Sequence, residues 1–372
     1  MSKFDLSRRK LLKGSAALGT AGIASMILPA SRALAAPLTI GMVYVGSRDD
    51  FGWNQAHAVA AEALKSIPDV TVVEEENVPE TDSVSKSMES MIQLDGAGLI
   101  FATSFGYFDP FMLGMAKKYP DVEFRHAAGL WTEDNPKNAG SYYGYLDQGH
   151  YIDGVAAGLS TTSNKLGFVA AKPIGTVLLN INSFLMGARK TNPNATVQVI
   201  FTGEWSLPVR EAEAANALID AGCDVITCHV DSPKVVIETA EGRGVKTCGH
   251  NASQASLAPN GFITGAEYKW ITIYSQFADM LSKGETLPNF VRGGYDKDYV
   301  QNTAYGAGAT PEAIAAADAA KEEMRTLKPV FVGPLKDNQG NEVIPAGTEH
   351  PPYDVWLEQT GFLVEGVVGS IT

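Results

Sequence analysis

The stretch Leu38-Thr39-Ile40-Gly41-Met42-Val43-Tyr44-Val45-Gly46-Ser47-Arg48-Asp49-Asp50-Phe51-Gly52-Trp53-Asn54 runs from apolar residues, through a glycine-bounded polar turn, into a helical pattern. Residues 38–45 read as a strand and about 53–66 as a helix. The unit then repeats: strand 70–74, helix 83–94, strand 98–103, helix 109–119 and strand 122–126. Strands that alternate with helices of this length are too far apart for tight turns, so they pair in parallel with helices on both faces.

Residues 142–145 are a hinge candidate, and the pattern then starts again. A helix at about 149–160 precedes strand 165–170, and the next helix carries Phe184 with the small residues Gly187 and Ala188. Strand 197–202, helix 209–221, strand 224–228, helix 233–241 and strand 245–249 follow. A restart of this kind predicts two lobes of the same architecture. Residues 262–266 are expected to return the chain to the first lobe, where a helix at 269–283 packs. The last portion offers a helix near 311–325, a hairpin-like turn at 337–341 and an ordered closing run at 361–370. The lobes are therefore expected at 37–145 plus about 266–290, and at 146–265 plus about 291–372.

Residues 1–35 read as a cleavable twin-arginine signal peptide. Arg8-Arg9 and Lys10 are followed by an uncharged Gly/Ala-rich stretch, and Ala33-Leu34-Ala35 supplies small residues for cleavage. The stretch falls short of the roughly 20 apolar residues that a membrane span needs. The first cysteine is Cys223, so no lipid anchor is expected, and the mature protein should be a soluble periplasmic monomer. Cleavage removes six basic groups and one acid, moving the formal charge from −13 to −18. Such a surface disfavours nucleic acid and anionic lipid as partners. Cys228 and Cys248 close two apolar runs and could form a disulfide if those runs are neighbouring strands; buried free thiols are the alternative.

Ligands of open α/β sheets bind beyond the carboxyl ends of the strands. After the first strand, Asp50 and Asn54 offer polar groups while Phe51 and Trp53 offer flat rings, against the alternative that Asp50 caps a helix and Trp53 packs beneath it. Ser104 and Phe105 follow the third strand and Trp131 the fourth. In the second half Phe184 lies on a helix, while Trp205, His229, Asp231 and His250 stand at or near successive strand ends. No GxSxG, P-loop, HExxH, CxxC or zinc spacing occurs, so no catalytic residue, metal site or cofactor is assigned.

The turns carry a resemblance. Residues 40–46 with Asp50 through His57, Glu76-Asn77-Val78-Pro79-Glu80, residues 102–107, Asn182-Ser183-Phe184, residues 224–233, Val332 through Asp337 and Val364 through Gly369 together resemble the basic membrane protein family. These are solute-binding proteins of ABC importers and include purine nucleoside receptors. The resemblance implies a type I periplasmic-binding-protein fold with two Rossmann-like lobes, their parallel sheets joined by crossover hinge strands, a ligand held between aromatic rings in the interlobe cleft, and an inner-membrane ABC permease as partner. Asp50 and Asn54 match positions that make polar contacts in purine-binding members; Phe105, Phe184 and Asp231 match cleft positions. Where the family commonly carries an acid that contacts ribose, this chain has Ser253, which favours a free purine or related heterocycle over its riboside. Nucleoside or sugar binding on the same fold, and a periplasmic enzyme acting in that cleft, are the alternatives. A sensory role beside a membrane kinase leaves the same sequence signature as transport.

Overall fold

The computed structural model describes residues 37–371; the export signal read at 1–35 lies outside them. In chain order the first half comprises β1 (Leu38–Val43), α1 (Trp53–Leu64), β2 (Val70–Glu75), α2 (Asp82–Gln93), β3 (Leu99–Ala102), α3 (Leu113–Lys118), β4 (Glu123–Ala127) and β5 (Ala139–Gly144). Then follow α4 (Asp147–Ser160), β6 (Lys165–Ala170), α5 (Gly175–Thr191), β7 (Thr196–Phe201), α6 (Pro208–Asp220), β8 (Val225–His229), α7 (Lys234–Gly242) and β9 (Lys246–Asn251). The remainder is β10 (Phe262–Tyr268), α8 (Trp270–Ser282), β11 (Phe290–Gly293), β12 (Val300–Asn302), α9 (Pro311–Arg325), β13 (Leu335–Lys336), β14 (Glu342–Ile344), α10 (Val355–Glu358) and β15 (Val367–Val368).

Among the described residues, one sheet has the order β11-β5-β4-β3-β1-β2 and a second the order β12-β10-β9-β8-β6-β7-β15. All neighbours pair in parallel except β10 and β12. Buried on both faces, the central strands are continuously apolar: Leu99-Ile100-Phe101-Ala102 is buried at every position.

Three crossovers join the sheets. The chain leaves β5 for α4, returns from β10 to α8 beside α1, and crosses again from β11 to β12. Tyr145 N–H donates to Gly293 O at 2.8 Å and Lys269 N–H to Tyr299 O at 2.9 Å, so the crossovers are hydrogen-bonded to one another. The 142–145 hinge candidate coincides with the first crossing. Residues 262–266, expected to return to the first lobe, instead form part of β10 in the second sheet; parallel pairing with β9 holds them there until Tyr268. The first sheet also runs on to Gly293, slightly beyond the expected boundary at 290. The 337–341 turn joins β13 to β14, with the Asp337 carboxylate accepting from Gln339 and Asn341 N–H groups.

The pair α4 and α5 forms the centre of the second lobe, and small residues set their separation. A Cβ at Gly187 would stand 1.9 Å from Tyr151 O, and one at Gly154 would stand 2.0 Å from Phe184 O. Gly187→Ala should therefore force the helices apart and lower stability by about 1–3 kcal/mol, the usual cost of overpacking, as read by urea denaturation.

All three cysteines are buried and free. Although β8 and β9 are neighbours, Cys228 packs with α6 and α7 while Cys248 faces α4, its Sγ 3.9 Å from Asp153 O. The thiols point to opposite faces of the sheet and cannot bridge. Thiol titration of the unfolded protein should find three thiols without reductant, and prior reduction should leave the melting temperature unchanged.

Candidate ligand-binding cleft

Strand order reverses at β1 in the first sheet and at β6 in the second. At such a point the connections diverge to opposite faces and leave a crevice at the strand ends. Here the two crevices face each other. Between them lies a cleft lined by Trp53, Ser104, Phe105, Ala127 and Ala128 from the first lobe. Ile174, Thr176, Trp205, His229, Asp231 and Asn251 line it from the second, and Tyr143 and Tyr268 close it on the crossover side.

The lobes touch directly across this space. Trp53 N–H donates to Asp231 O at 2.9 Å, the Ser232 hydroxyl donates to Asp50 O at 2.9 Å, and Gln254 Nε2 donates to Phe51 O at 2.5 Å. Gly52 makes the approach feasible, since a Cβ there would lie 2.1 Å from Asp231 O. Deeper at the hinge side, Arg292 of β11 forms a buried two-point pair with Glu358 of α10, at 2.7 Å and 3.0 Å. Glu358 also accepts from the Tyr145 hydroxyl, and Arg292 donates to Gly129 O. Breaking such a buried pair leaves an uncompensated charge, so it holds the hinge side firmly.

The residues of the first turn divide in role. The Asp50 carboxylate accepts from the N–H groups of Gly52, Asn54 and Gln55 and from Asn54 Nδ2, at 2.8–3.0 Å. It is thus the anchor of the α1 N-terminus, and its charge is favoured there by the helix dipole. Burial pushes its pKa up while those hydrogen bonds pull it down. Asn54 is buried, with Oδ1 accepting from Gly46 N–H. Phe51 sits in the left-handed region at φ 57°, its ring facing Lys234 rather than the cavity. Only Trp53 of this turn lines the space. Its Nε1–H donates to Thr103 O at 3.0 Å and its ring meets Tyr268 edge-on at 5.5 Å, which fixes the indole plane.

Ser104 and Phe105 also line it. Glu80 braces their turn, accepting from Ser104 Oγ at 2.6 Å and Gly106 N–H at 2.8 Å. Phe105 is 49% exposed, a large ring presented toward the opening. Trp131 does not reach the cavity; its Nε1–H donates to Pro136 O and Lys137 lies over its ring. Phe184 lies in the core, edge-on to Phe168 at 6.0 Å, because its helical position faces β6 and α4. His250 is buried behind the wall, Nδ1 2.9 Å from His150 Nε2. His229, whose ring centre lies 4.3 Å from that of His250, stands in the wall instead, its Nδ1 2.9 Å from the Asn180 amide. Burial holds its pKa down to about 3, so it is neutral near pH 7.

Trp205 and Asp231 line the second-lobe side. Tyr143, Tyr268 and Asn251 were not legible as site residues. The first two lie 125 positions apart in sequence and meet only through the crossovers. Asn251 is held at φ 66° at the end of β9, a conformation asparagine tolerates better than most residues. The Tyr143 hydroxyl and Asn251 Oδ1 are buried without a hydrogen-bond partner, although both residues line the cavity.

An aromatic cleft between two parallel α/β lobes joined by three crossovers defines a solute-binding protein of the periplasmic-binding-protein type. Residues 38–305 match the family model for PnrA-like ABC transporter substrate-binding proteins, Bmp. The chain is 34% identical over 335 residues to a purine-binding protein of Brucella abortus, covering 89% of this chain and 93% of that protein. It is 32% identical over 331 residues to a Haloferax volcanii protein provisionally named an ABC transporter glucose-binding protein, covering 88% and 80% respectively. The chain belongs to the Bmp family of ABC transporter substrate-binding proteins.

Its fold is similar to that of ABC transporter solute-binding proteins from Conexibacter woesei and Aeropyrum pernix. The first has a TM-score of 0.66 at 22% identity over 78% of this chain and 96% of that one. The second has a TM-score of 0.67 at 18% identity over 80% and 94%. Solute-binding proteins of ABC importers act outside the cytoplasm and are not an enzyme class. Among the described residues no helix is long and apolar enough to cross a membrane.

Gly52→Ala should hold the lobes apart without touching either core. Small-angle scattering should show a larger radius of gyration than wild type; an unchanged radius would mean that the 52–231 approach does not limit closure.

Proposed function

We propose that this protein is exported by the twin-arginine route and captures a purine base or a related nitrogenous heterocycle for an ABC permease. The single observation that carries the ligand class is the cleft wall: Trp53, Phe105, Tyr143, Trp205 and Tyr268 surround partnerless polar atoms on Tyr143 and Asn251. Flat rings favour a flat ligand, and a few directed hydrogen bonds fix its orientation. The purine-binding name of the Brucella abortus relative supports the same reading.

The mechanism is capture by closure. In an open form the strand ends are wet and the rings accessible. A ligand that touches both lobes stabilises the closed form in proportion to its preference for that form, and the permease reads the result. The hydrogen bonds from Trp53, Ser232 and Gln254 across the cleft are then the protein's own share of the closing energy. Each contributes about 1 kcal/mol, too little to keep the lobes shut without ligand but enough to sharpen closure.

A thermal-shift screen over purine bases, nucleosides and sugars tests the ligand class, because a ligand bound only by the folded protein raises its melting temperature. Bases are expected to give the largest shift, and glucose none. A shift with sugars alone would overturn the reading. Trp53→Ala should weaken base binding by at least tenfold while the unliganded melting temperature falls only modestly, since the ring is partly exposed to the cleft.

A further inference from the structure

We propose that Asp231 makes the cleft select heterocycles bearing an exocyclic amino group, and reject anionic ones; this rests on the heterocycle reading above. The main chain of Asp231 is fully engaged, its N–H donating to Trp205 O at 2.8 Å and its carbonyl accepting from Trp53 N–H at 2.9 Å. Asp231 lines the cavity, yet no described residue donates a hydrogen bond to its carboxylate or forms an ion pair with it. The contrast with Asp50 is sharp: that carboxylate is saturated by four donors from its own turn and helix.

Nothing nearby neutralises the group. Lys172, the cation that acts on it, is already paired with Glu204 at 2.8 Å and lies over the Trp205 ring at 5.3 Å. Burial first, and then Asp50, Glu80 and Glu211 facing it from the surrounding elements, push its pKa well up, so its ionised form depends on a donor that a ligand must supply. Among the described residues no lysine or arginine lines the cavity. A phosphate, a carboxylate or an ionised oxopurine would therefore meet a negative field with no counter-charge.

A ligand that brings N–H donors repairs the deficit, because a buried acceptor without a donor is costly and a hydrogen bond to a charged group is the stronger kind. An exocyclic amino group beside a ring nitrogen supplies this edge. The Tyr143 hydroxyl can donate or accept and Asn251 Oδ1 can accept, so both can serve the remaining ring nitrogens. A site built to receive an amino group discriminates strongly against the analogue without it, since the acceptor is then stranded.

Isothermal titration of the full mature chain with two matched pairs, adenine against unsubstituted purine and guanine against hypoxanthine, isolates the amino group. At least one amino form should bind tenfold or more tightly than its partner, and adenosine monophosphate should not bind. In Asp231→Ala the preference should collapse toward unity. Asp231→Asn keeps the shape and an acceptor oxygen while removing the charge, and should admit urate that the wild type excludes. Equal affinity within both pairs in the wild type, or a preference that survives in Asp231→Ala, would overturn the inference while leaving the heterocycle reading intact. Binding of glucose with no heterocycle bound would overturn both.

Discussion

Parallel strands cannot be joined by a tight turn, so the parallel strands of the two main sheets must be reached by crossovers, most of which carry a helix. When the order of strands reverses, as at β1 and β6, successive crossovers lie on opposite faces and the sheet is left open at its carboxyl edge. One such sheet gives a shallow crevice. Two of them, joined by three crossings of the chain, give a cleft whose walls can move. The position of the cavity, its aromatic lining and its closing hydrogen bonds all descend from that constraint.

The cleft sorts its polar groups by whether the fold already satisfies them. Asp50 and Glu80 are fixed acceptors for backbone donors in their own lobe, and they set the shape of the first-lobe turns. The pair of Arg292 and Glu358 serves the hinge. Tyr143 and Asn251, which line the cavity, are left with partnerless buried atoms, and the Asp231 carboxylate at the same wall has no donor among the described residues. In the proposed reading, recognition falls to groups that the fold does not use, and rigidity to groups that it does. Left-handed backbone at Phe51, Ala128 and Asn251 belongs to the same economy, since strained residues at strand ends aim the chain where regular geometry would not.

The alternation of strand and helix was plain in the sequence, because buried parallel strands such as 99–102 are uniformly apolar and the helices keep a 3.6-residue period. The short β11 and β12 were not, since four and three residues carry too little pattern. At the site, strand-end position was a sound guide for Trp53, Ser104, Phe105, Trp205 and Asp231, which line the cavity. It said nothing about facing. Trp131 turns back onto its own loop, Phe184 points into the α4–α5 core, and Asn54 spends its amide on Asp50 and Gly46. Tyr143 and Tyr268 become neighbours only when the crossovers are assembled, a relation that no local pattern encodes.

A binding protein must fold to a state that is only partly closed, or it will neither admit nor release its ligand. Its closing contacts must therefore be weak individually and spread over both lobes. The hydrogen bonds at Trp53, Ser232 and Gln254 have that character: each joins a turn on one lobe to a turn on the other, and none is part of a sheet or helix. The strong interactions, by contrast, lie within a lobe or at the hinge, where Arg292 and Glu358 are both buried. Such a division lets the lobes remain folded while the cleft opens. On the proposed mechanism, what decides between open and closed is then the ligand, and chiefly the groups on it that can answer Tyr143, Asn251 and Asp231.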